Sequence, residues 1–262
     1  MNIRLQLFEL EDQRWFPHLI RKGMLDFLRF MISKLHSYEY AIPLLKELLE
    51  TTGQNHMVDL CSGAGGGIEV IQAASSREMK QPITVTLTDL YPNIESYRYL
   101  QKQTSGQIGY IPEAINAMAV PEQVQGVRTV FSSFHHFTPK QAKAILQDAA
   151  NKRTAIGIFE GADKSWIEML ALWILFPPLI LLATPFIRPF KLSRLFFTYI
   201  VPLIPIGILW DGTVSLLRIY TPAMLGEMAS AIHTADYTWH AGKTGNRLGK
   251  KVIYLIGYPT KP

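Results

Sequence analysis

Cysteine is nearly absent from this chain of 262 residues, which contains only Cys61, so no disulfide can form within it. Such scarcity is typical of a protein kept in a reducing compartment. The first fifteen residues alternate charged and apolar side chains and lack the apolar core of a signal peptide. We therefore expect the protein on the cytoplasmic side of the membrane. No cluster of cysteine and histidine has metal-ligand spacing, so no metal site is expected.

Charge is also scarce, because Asp, Glu, Lys and Arg make up 18% of the residues against 48% hydrophobic ones. Together with a mean hydropathy of +0.10, this describes a packed protein of one α/β domain, alone or with an insertion, and excludes a disordered chain. The net charge of +5 suits nucleic acid or an anionic membrane surface. Basic residues are mostly scattered, so no nucleic-acid partner is expected. A solvated loop explains the densest basic group, Lys243, Arg247, Lys250 and Lys251.

Two long runs, 169–187 and 195–210, contain no charged residue at all. A membrane-spanning helix needs about 20 apolar residues. The first run is just long enough, but the second reaches only about 24 Å as a helix, and prolines interrupt both. A two-pass hairpin would place Arg188, Lys191 and Arg194 on the far side, against the positive-inside tendency. We predict helices that lie in or dip into one leaflet, with these three cations at headgroup level. A cap over the site and a dimer interface are the alternatives.

Strand-like and helix-like segments alternate through the rest of the chain. This order predicts an α/β, Rossmann-like, seven-stranded, mostly parallel sheet with helices on both faces. An N-terminal arm and two helices (1–56) precede the catalytic domain (57–165 and 211–262), and the hydrophobic insertion (166–210) lies between its fifth and sixth strands. Eight segments are candidates for the seven strands: 57–60, 83–88, 110–111, 127–134, 154–160, 216–220, 237–240 and 251–257. The short candidate 110–111 is counted as the third strand, so that 127–134 is the fourth and 154–160 the fifth.

A glycine-rich turn follows the first strand in the sequence Asp59-Leu60-Cys61-Ser62-Gly63-Ala64-Gly65. The order strand, glycine turn, helix brings the backbone close to a nucleotide-like ligand, since glycine tolerates positive φ and has no side chain. Asp89 ends the second strand, where its carboxylate can accept from both hydroxyls of a ribose. Taken alone, the turn also fits an ordinary strand-to-helix connection or a nicotinamide-binding loop.

Together these features resemble the class I S-adenosylmethionine-dependent methyltransferases, and the resemblance covers nearly everything outside 166–210. The family loop reads Asp-x-Gly-x-Gly-x-Gly, and Asp59 to Gly65 matches it in register. Cys61 replaces the first glycine, which a small side chain permits if φ is negative there. The resemblance implies S-adenosylmethionine as the cofactor. Its implied binding residues are Asp59, Cys61, Ser62, Gly63, Ala64 and Gly65 at the methionine part, Asp89 at the ribose, Leu90, Asn116 and Ala117 at the adenine, and Ser133.

The segment Phe134-His135-His136-Phe137 follows the fourth strand, and a small-aromatic-His-His pattern at this point is familiar in the same family. Methyl transfer is an in-line displacement at a sulfonium, and it needs a base only if the nucleophile carries a proton. Imidazole titrates near neutrality, so His135 and His136 are the candidate catalytic residues. One histidine packing beside the cofactor while the other caps the helix is the structural alternative.

Glu160 ends the fifth strand and could orient a substrate, although acids there are often structural. Asp211 follows the second uncharged run and is interpreted as a turn residue, and His240 as structural.

The predicted function is therefore transfer of a methyl group from S-adenosylmethionine to a small, lipophilic acceptor, by an enzyme held peripherally or monotopically on a membrane through 166–210. A scaffold that keeps the fold without turnover and a nicotinamide-dependent lipid reductase are the alternatives. The sequence does not indicate the acceptor, its reacting atom or the oligomeric state.

Overall fold

Seven strands form one sheet among the residues that the computed structural model describes, which are 4–232, 234–246 and 251–260. The strands are β1 (His56–Asp59), β2 (Thr84–Leu87), β3 (Ile108–Tyr110), β4 (Val127–Phe131), β5 (Ile156–Glu160), β6 (Tyr237–Gly245) and β7 (Lys251–Pro259). Their order across the sheet is β3-β2-β1-β4-β5-β7-β6. Of the basic group noted in the sequence, Arg247 and Lys250 lie outside the described residues.

The first five strands run parallel, and β7 runs antiparallel to both β5 and β6. In the register of the sheet Asp59 lies beside Leu87 on one side and Thr129 on the other. The carboxyl ends of β1, β2 and β4 therefore meet at one edge, which is where ligands bind in open α/β sheets. The predicted mostly parallel, Rossmann-like sheet is confirmed.

Helices cover both faces of the sheet. They are α1 (His18–Leu35), α2 (Ile42–Thr52), α3 (Ile68–Met79), α4 (Ile94–Gln103), α5 (Pro139–Asn151), α6 (Trp166–Ala183), α7 (Leu192–Leu195), α8 (Leu203–Arg218) and α9 (Pro222–Ser230). Apolar side chains of α2, α3 and α4 pack on one face and those of α5 and α9 on the other. The start of α5 is fixed by a capping box between Thr138 and Gln141, with Pro139 as the first helical residue.

The predicted strand 216–220 is wrong, because α8 continues through Arg218. Leu216 and Ile219 are both buried, and their spacing of three residues places them on one face of a helix. The backbone N–H of Ile219 donates to the carbonyl of Ser215, as in a helix. Asp211 is likewise inside α8 and not in a turn. The apolar helical segment thus extends beyond 210, and β6 is the next strand after it.

The helices α6 and α8 pack on α1 through a third apolar cluster, which includes Phe27, Ile180, Ile204 and Ile208. Nearly all side chains of α6 are apolar, and it packs through only one side, so its outer face exposes apolar side chains. By length and composition the helical stretch Trp166–Phe186 could cross a membrane, and 22% of its apolar 18-residue window is buried. The segments Leu192–Ile200 and Leu203–Arg218 meet that test only as a pair, and they are bent by 80°.

The three cations between the apolar runs were predicted to lie at headgroup level, but two of them bind acidic side chains of the protein instead. Arg194 is buried and binds Asp26 at 2.6 Å. Lys191 binds Asp26 at 3.1 Å and Glu95 at 3.6 Å. Their charges are neutralised against α1 and α4, which the sequence pattern did not reveal. Arg188 is exposed and lies over the ring of Phe190.

Candidate functional site

The glycine turn and the residue after β2 are joined by direct hydrogen bonds. The backbone N–H of Gly63 donates to Oδ2 of Asp89 at 2.9 Å, and the N–H of Tyr91 donates to Oδ1 at 2.8 Å. The N–H of Ser62 donates to the carbonyl of Thr88 at 3.0 Å. These bonds fix the Asp89 carboxylate beside the turn, with lone pairs left for a ligand.

Cys61 adopts a φ of +57°, so the expectation of a negative φ at this position is wrong. The left-handed conformation costs a residue with a Cβ about 1–2 kcal/mol relative to glycine. The Ser133 hydroxyl donates to the Cys61 carbonyl at 3.1 Å, which helps to hold the peptide in place. Burial raises the pKa of the Cys61 thiol, and the charges of Asp89 and Asp59 raise it further, so this thiol is not poised to react.

Substituting glycine at this position tests the strain. We expect Cys61→Gly to raise the free energy of unfolding by about 0.5–1 kcal/mol, because relief of the left-handed strain exceeds the entropy that glycine gains when unfolded. Urea unfolding measures the change. Cys61→Ala, which keeps a Cβ, is the matched control and should not be stabilised; equal stability of the two variants would contradict the strain argument.

Asp59 is buried, and its carboxylate is held by neighbouring hydroxyls. Oδ2 accepts from Ser62 Oγ at 2.6 Å, and Oδ1 accepts from Thr129 Oγ1 at 3.0 Å. Burial raises the pKa of Asp59 to about 7; the two hydrogen bonds oppose this rise and the charge of Asp89 adds to it. The bonds to Ser62 and Thr129 fix the Asp59 side chain at the point where β1 leads into the glycine turn.

The raised pKa of Asp59 predicts a pH dependence of stability. The folded chain keeps this proton up to about pH 7, whereas the ordinary value is 3.8. Proton binding by Asp59 therefore adds to the free energy of unfolding. This contribution is fully present below pH 3.8 and is lost as the pH rises toward 7, by about 1.4 kcal/mol per pH unit. In urea unfolding at pH 5 and pH 7, the wild type should lose about 2 kcal/mol more than Asp59→Asn, which cannot ionise. An identical loss in both proteins would refute the shift.

The residues expected to contact the adenine lie beyond Asp89 in the same cavity. Leu90 is exposed, Asn116 is exposed, and Ala117 is buried. The side-chain oxygen of Asn116 accepts from the Met118 N–H at 3.0 Å, so its remaining lone pair and its amide group are available to a ligand.

His135 and His136 form a short 3-10 turn after β4. Glu160 at the end of β5 holds His135 twice: Nδ1 donates to Oε2 at 2.8 Å, and the backbone N–H of His135 donates to Oε1 at 3.0 Å. The other ring nitrogen of His135, Nε2, is buried and has no hydrogen-bond partner among the described residues. Glu160 thus fixes the ring orientation.

Carboxylates of the N-terminal arm surround His136. Its Nδ1 lies 3.0 Å from Asp12 and 3.1 Å from Glu9, and its Nε2 lies 3.5 Å from Glu11. Burial lowers the pKa of His136, but the charge of Glu9 and the hydrogen bond and charge of Asp12 outweigh it and raise the pKa to about 10. Burial alone raises the pKa of Asp12, but His136 and Arg218 bring it down to about 2.

Sequence reasoning missed the contribution of the arm (residues 4–17). Glu9 is fully buried and binds Arg218 of α8 at 2.9 Å. Arg4 donates to the carbonyls of His135 and Phe137, both at 2.9 Å. The carboxylate of Asp211 accepts the N–H groups of Leu10 and Glu11 at 2.6 and 3.0 Å. No motif marks these residues, since their partners lie more than a hundred positions along the chain.

Every candidate residue lines one cavity of about 1100 Å³. The glycine turn and Asp89 form one end, and His135 with Glu160 forms another part of the wall. Apolar side chains of α1, α6 and α8 complete the lining, among them Leu25, Leu28, Leu172, Phe176 and Leu216.

By sequence, the chain matches no known protein family and no curated protein. By structure, it is similar to a chain from Nostoc punctiforme described as an O-methyltransferase, with 12% identity, a TM-score of 0.51, and coverage of 93% of this chain and 61% of the other. The S-adenosylmethionine-dependent methyltransferase SibL aligns at 13% identity and a TM-score of 0.53, with coverage of 96% and 61%. NcsB1, an O-methyltransferase solved with S-adenosylmethionine, aligns at 14% and 0.45, with coverage of 91% and 69%.

The chain has the Rossmann-like fold of the first two methyltransferases and spans about three fifths of their length. Identities this low show the fold alone.

Proposed function

We propose that the protein transfers the methyl group of S-adenosylmethionine to a small, lipophilic acceptor at a membrane surface. The observation that carries the proposal is that one cavity brings together the turn from Asp59 to Gly65, Asp89 and His135. This proximity between the residues expected to bind the cofactor and the candidate catalytic histidine supports the proposal.

The cofactor end supports S-adenosylmethionine through backbone and carboxylate geometry. Gly63 and Gly65 both have positive φ. A Cβ at Gly63 would point into open space, so its absence permits close approach of the methionine part, whereas a Cβ at Gly65 would collide with the side chain of Leu100. Asp89, held by two backbone N–H groups, offers a carboxylate to the ribose hydroxyls. The ordinary chemistry of this cofactor is donation of a methyl cation equivalent from its sulfonium.

The acceptor end supports a role for His135. Positioning a nucleophile in line with a methyl group can contribute roughly 7–11 kcal/mol in favourable cases, and activation of the nucleophile adds about 10²–10⁴-fold. Both nitrogens of His136 lie against arm carboxylates, whereas Nε2 of His135 makes no hydrogen bond within the described structure. We assign acceptor activation to His135 and its positioning to Glu160.

The size and lining of the cavity support a lipophilic acceptor. Pockets for drug-sized ligands measure about 300–1,000 Å³, so about 1100 Å³ leaves space for an acceptor beside the cofactor. Leu25 and Leu28 of α1 and Leu172 and Phe176 of α6 line this space, so the same apolar helices border both the cavity and the surface.

The membrane surface is proposed from the exposed side chains of the apolar helices. Monomeric soluble proteins rarely expose contiguous apolar patches of more than a few hundred Å². Within 166–210, the large apolar residues with more than half of their surface exposed are Trp166, Ile167, Leu170, Trp173, Ile174, Leu175, Leu182, Phe186, Phe190, Leu192, Ile200 and Ile206. We propose peripheral or monotopic attachment on the cytoplasmic side through this surface, which we call the apolar ridge.

Labelled cofactor tests the reaction. Wild-type protein incubated with methyl-labelled S-adenosylmethionine and a membrane lipid extract should transfer label to an extractable product that mass spectrometry identifies. Cofactor binding without transfer to lipid or to water-soluble extracts would favour a scaffold. Bound nicotinamide cofactor in purified protein would favour a reductase.

The role of His135 has its own test. We expect His135→Asn to lower kcat by roughly 100-fold or more while leaving the Kd for S-adenosylmethionine within about twofold, because the histidine lies outside the cofactor end. His240→Asn, on exposed β6, is the control and should match the wild type. An unchanged kcat in His135→Asn would remove it from the mechanism.

A further inference from the structure

Three buried polar atoms that make no hydrogen bond lie where the arm meets the 3-10 turn. Oε2 of Glu9, Oε2 of Glu11 and Nε2 of His135 are buried and make no hydrogen bond within the described part of the chain. Each such atom has lost its hydrogen bonds to water without replacement, which destabilises the folded state, and native proteins contain few of them. Three in one place indicate that a further group binds there.

The spacing of the surrounding ligand atoms fits a metal ion. Nε2 of His135 lies 3.8 Å from Glu9 Oε1, and Nδ1 of His136 lies 3.1 Å from Glu9 Oε2. One atom from each of these three residues can be chosen so that all lie within 4.8 Å of one another. Ligands bound at about 2.0–2.2 Å to one ion are separated by roughly 3–4 Å, so only small adjustments are needed.

The partners of two of these residues resemble an outer coordination shell. Glu160 accepts from Nδ1 of His135 and leaves Nε2 facing Glu9. Arg218 and Ser215 donate to Oε1 of Glu9 at 2.9 and 3.2 Å, which orients its other oxygen. A carboxylate on the far nitrogen of a histidine fixes its tautomer and raises its basicity as a ligand.

We infer that Glu9, His135 and His136 bind one divalent transition-metal ion, of which Zn²⁺ is the type. Two imidazoles and one carboxylate are the ligands of catalytic zinc and of related divalent sites with open positions, whereas Mg²⁺ and Ca²⁺ prefer oxygen ligands. The ion would bond to Oε2 of Glu9 and Nε2 of His135, neither of which makes a hydrogen bond among the described residues. The absence of a metal motif in the sequence is explained by Glu9, which is 126 positions from His135.

This site specifies the acceptor class, and in that respect it rests on the proposed function. His135 and His136 line the cavity, so an open position of the ion faces the acceptor space. The acceptor would bind the ion through an oxygen atom that is either the atom to be methylated or a neighbour of it. If that oxygen belongs to a hydroxyl group, the ion lowers the pKa of the hydroxyl. His135 then acts on the acceptor as a ligand of the ion.

Cobalt binding tests the site without any cofactor or acceptor. Tag-free protein, dialysed against a chelator and then freed of it, is titrated with Co²⁺ and followed by visible absorption. We expect one equivalent to bind with ligand-field bands that Zn²⁺ abolishes. Glu160→Gln should weaken binding about 10- to 100-fold, and Glu9→Gln, which keeps an oxygen for Arg218, should weaken it further. His240→Asn should bind like the wild type.

The outcomes separate this inference from the proposed function. No absorption change, or equal binding by the wild type, Glu9→Gln and His136→Asn, would overturn the metal site even if S-adenosylmethionine binds normally in calorimetry. Circular dichroism verifies folding of each variant. If Glu9→Gln does not fold, His136→Asn decides: retained stoichiometric binding overturns the site, and its loss supports it.

Discussion

Replacement of Asp89 by alanine is expected to weaken S-adenosylmethionine binding by roughly 100-fold, about 3 kcal/mol. The carboxylate would lose its hydrogen bonds to the ribose hydroxyls, and hydrogen bonds to a charged group contribute about 1.5–3 kcal/mol each. It would also release the N–H groups of Gly63 and Tyr91, so the glycine turn would lose part of its preorganisation. Isothermal titration calorimetry measures the Kd of both proteins.

Two further variants serve as controls for the comparison of the wild-type Kd with that of Asp89→Ala. Asp89→Asn keeps one side-chain oxygen and should lose less affinity than the alanine variant. Glu122→Ala removes an exposed acid that does not line the cavity and should leave the Kd unchanged. If Asp89→Ala binds as tightly as the wild type, Asp89 has no contact with the cofactor.

Charges on the apolar ridge are expected to abolish membrane binding. Ile167, Ile174 and Leu182 are 81%, 59% and 71% exposed and project from a similar side of α6. Burying each such side chain contributes about 1.5–3 kcal/mol, so the triple change to glutamate should weaken binding to liposomes by at least about 100-fold. Flotation with vesicles of neutral and of anionic lipid measures the bound fraction.

A matched variant separates the ridge from net charge. Gln81, Gln101 and Gln103 are exposed near the β2–β3 side of the sheet, and changing all three to glutamate adds the same three negative charges. This control should float like the wild type. Flotation of the α6 triple variant at the wild-type level would exclude the ridge as the membrane contact. Point variants are preferable to deletion of 166–210, since Ile180 and Ile204 pack in the core with α1.

The cofactor end was predictable because its signals are local. Asp59 to Gly65 and Asp89 each follow directly from a strand, and parallel strands that end at one edge of a sheet bring such residues together. One detail was still wrong: the positive φ of Cys61 depends on how the turn closes against Asp89 and Ser133, which residue type alone does not reveal.

The acceptor end was only half predictable. His135 follows β4 and Glu160 ends the neighbouring β5, but Glu9 and Asp12 come from an irregular arm without periodicity. Their pairing with Arg218 requires α8, whose last turn was mistaken for a strand because a short, mostly apolar run such as 216–220 is compatible with either element. Similarly, the burial of Arg194 depends on Asp26 in α1, a contact across 168 positions that no local pattern reports.

The central claim is that the turn from Asp59 to Gly65 and Asp89 form an S-adenosylmethionine site. Calorimetric titration of the purified wild-type protein with S-adenosylmethionine tests it most directly. The structure predicts saturable binding of one cofactor per chain, with affinity lost in Asp89→Ala. Absence of binding by the folded wild type, or equally tight binding by both proteins, would contradict the claim.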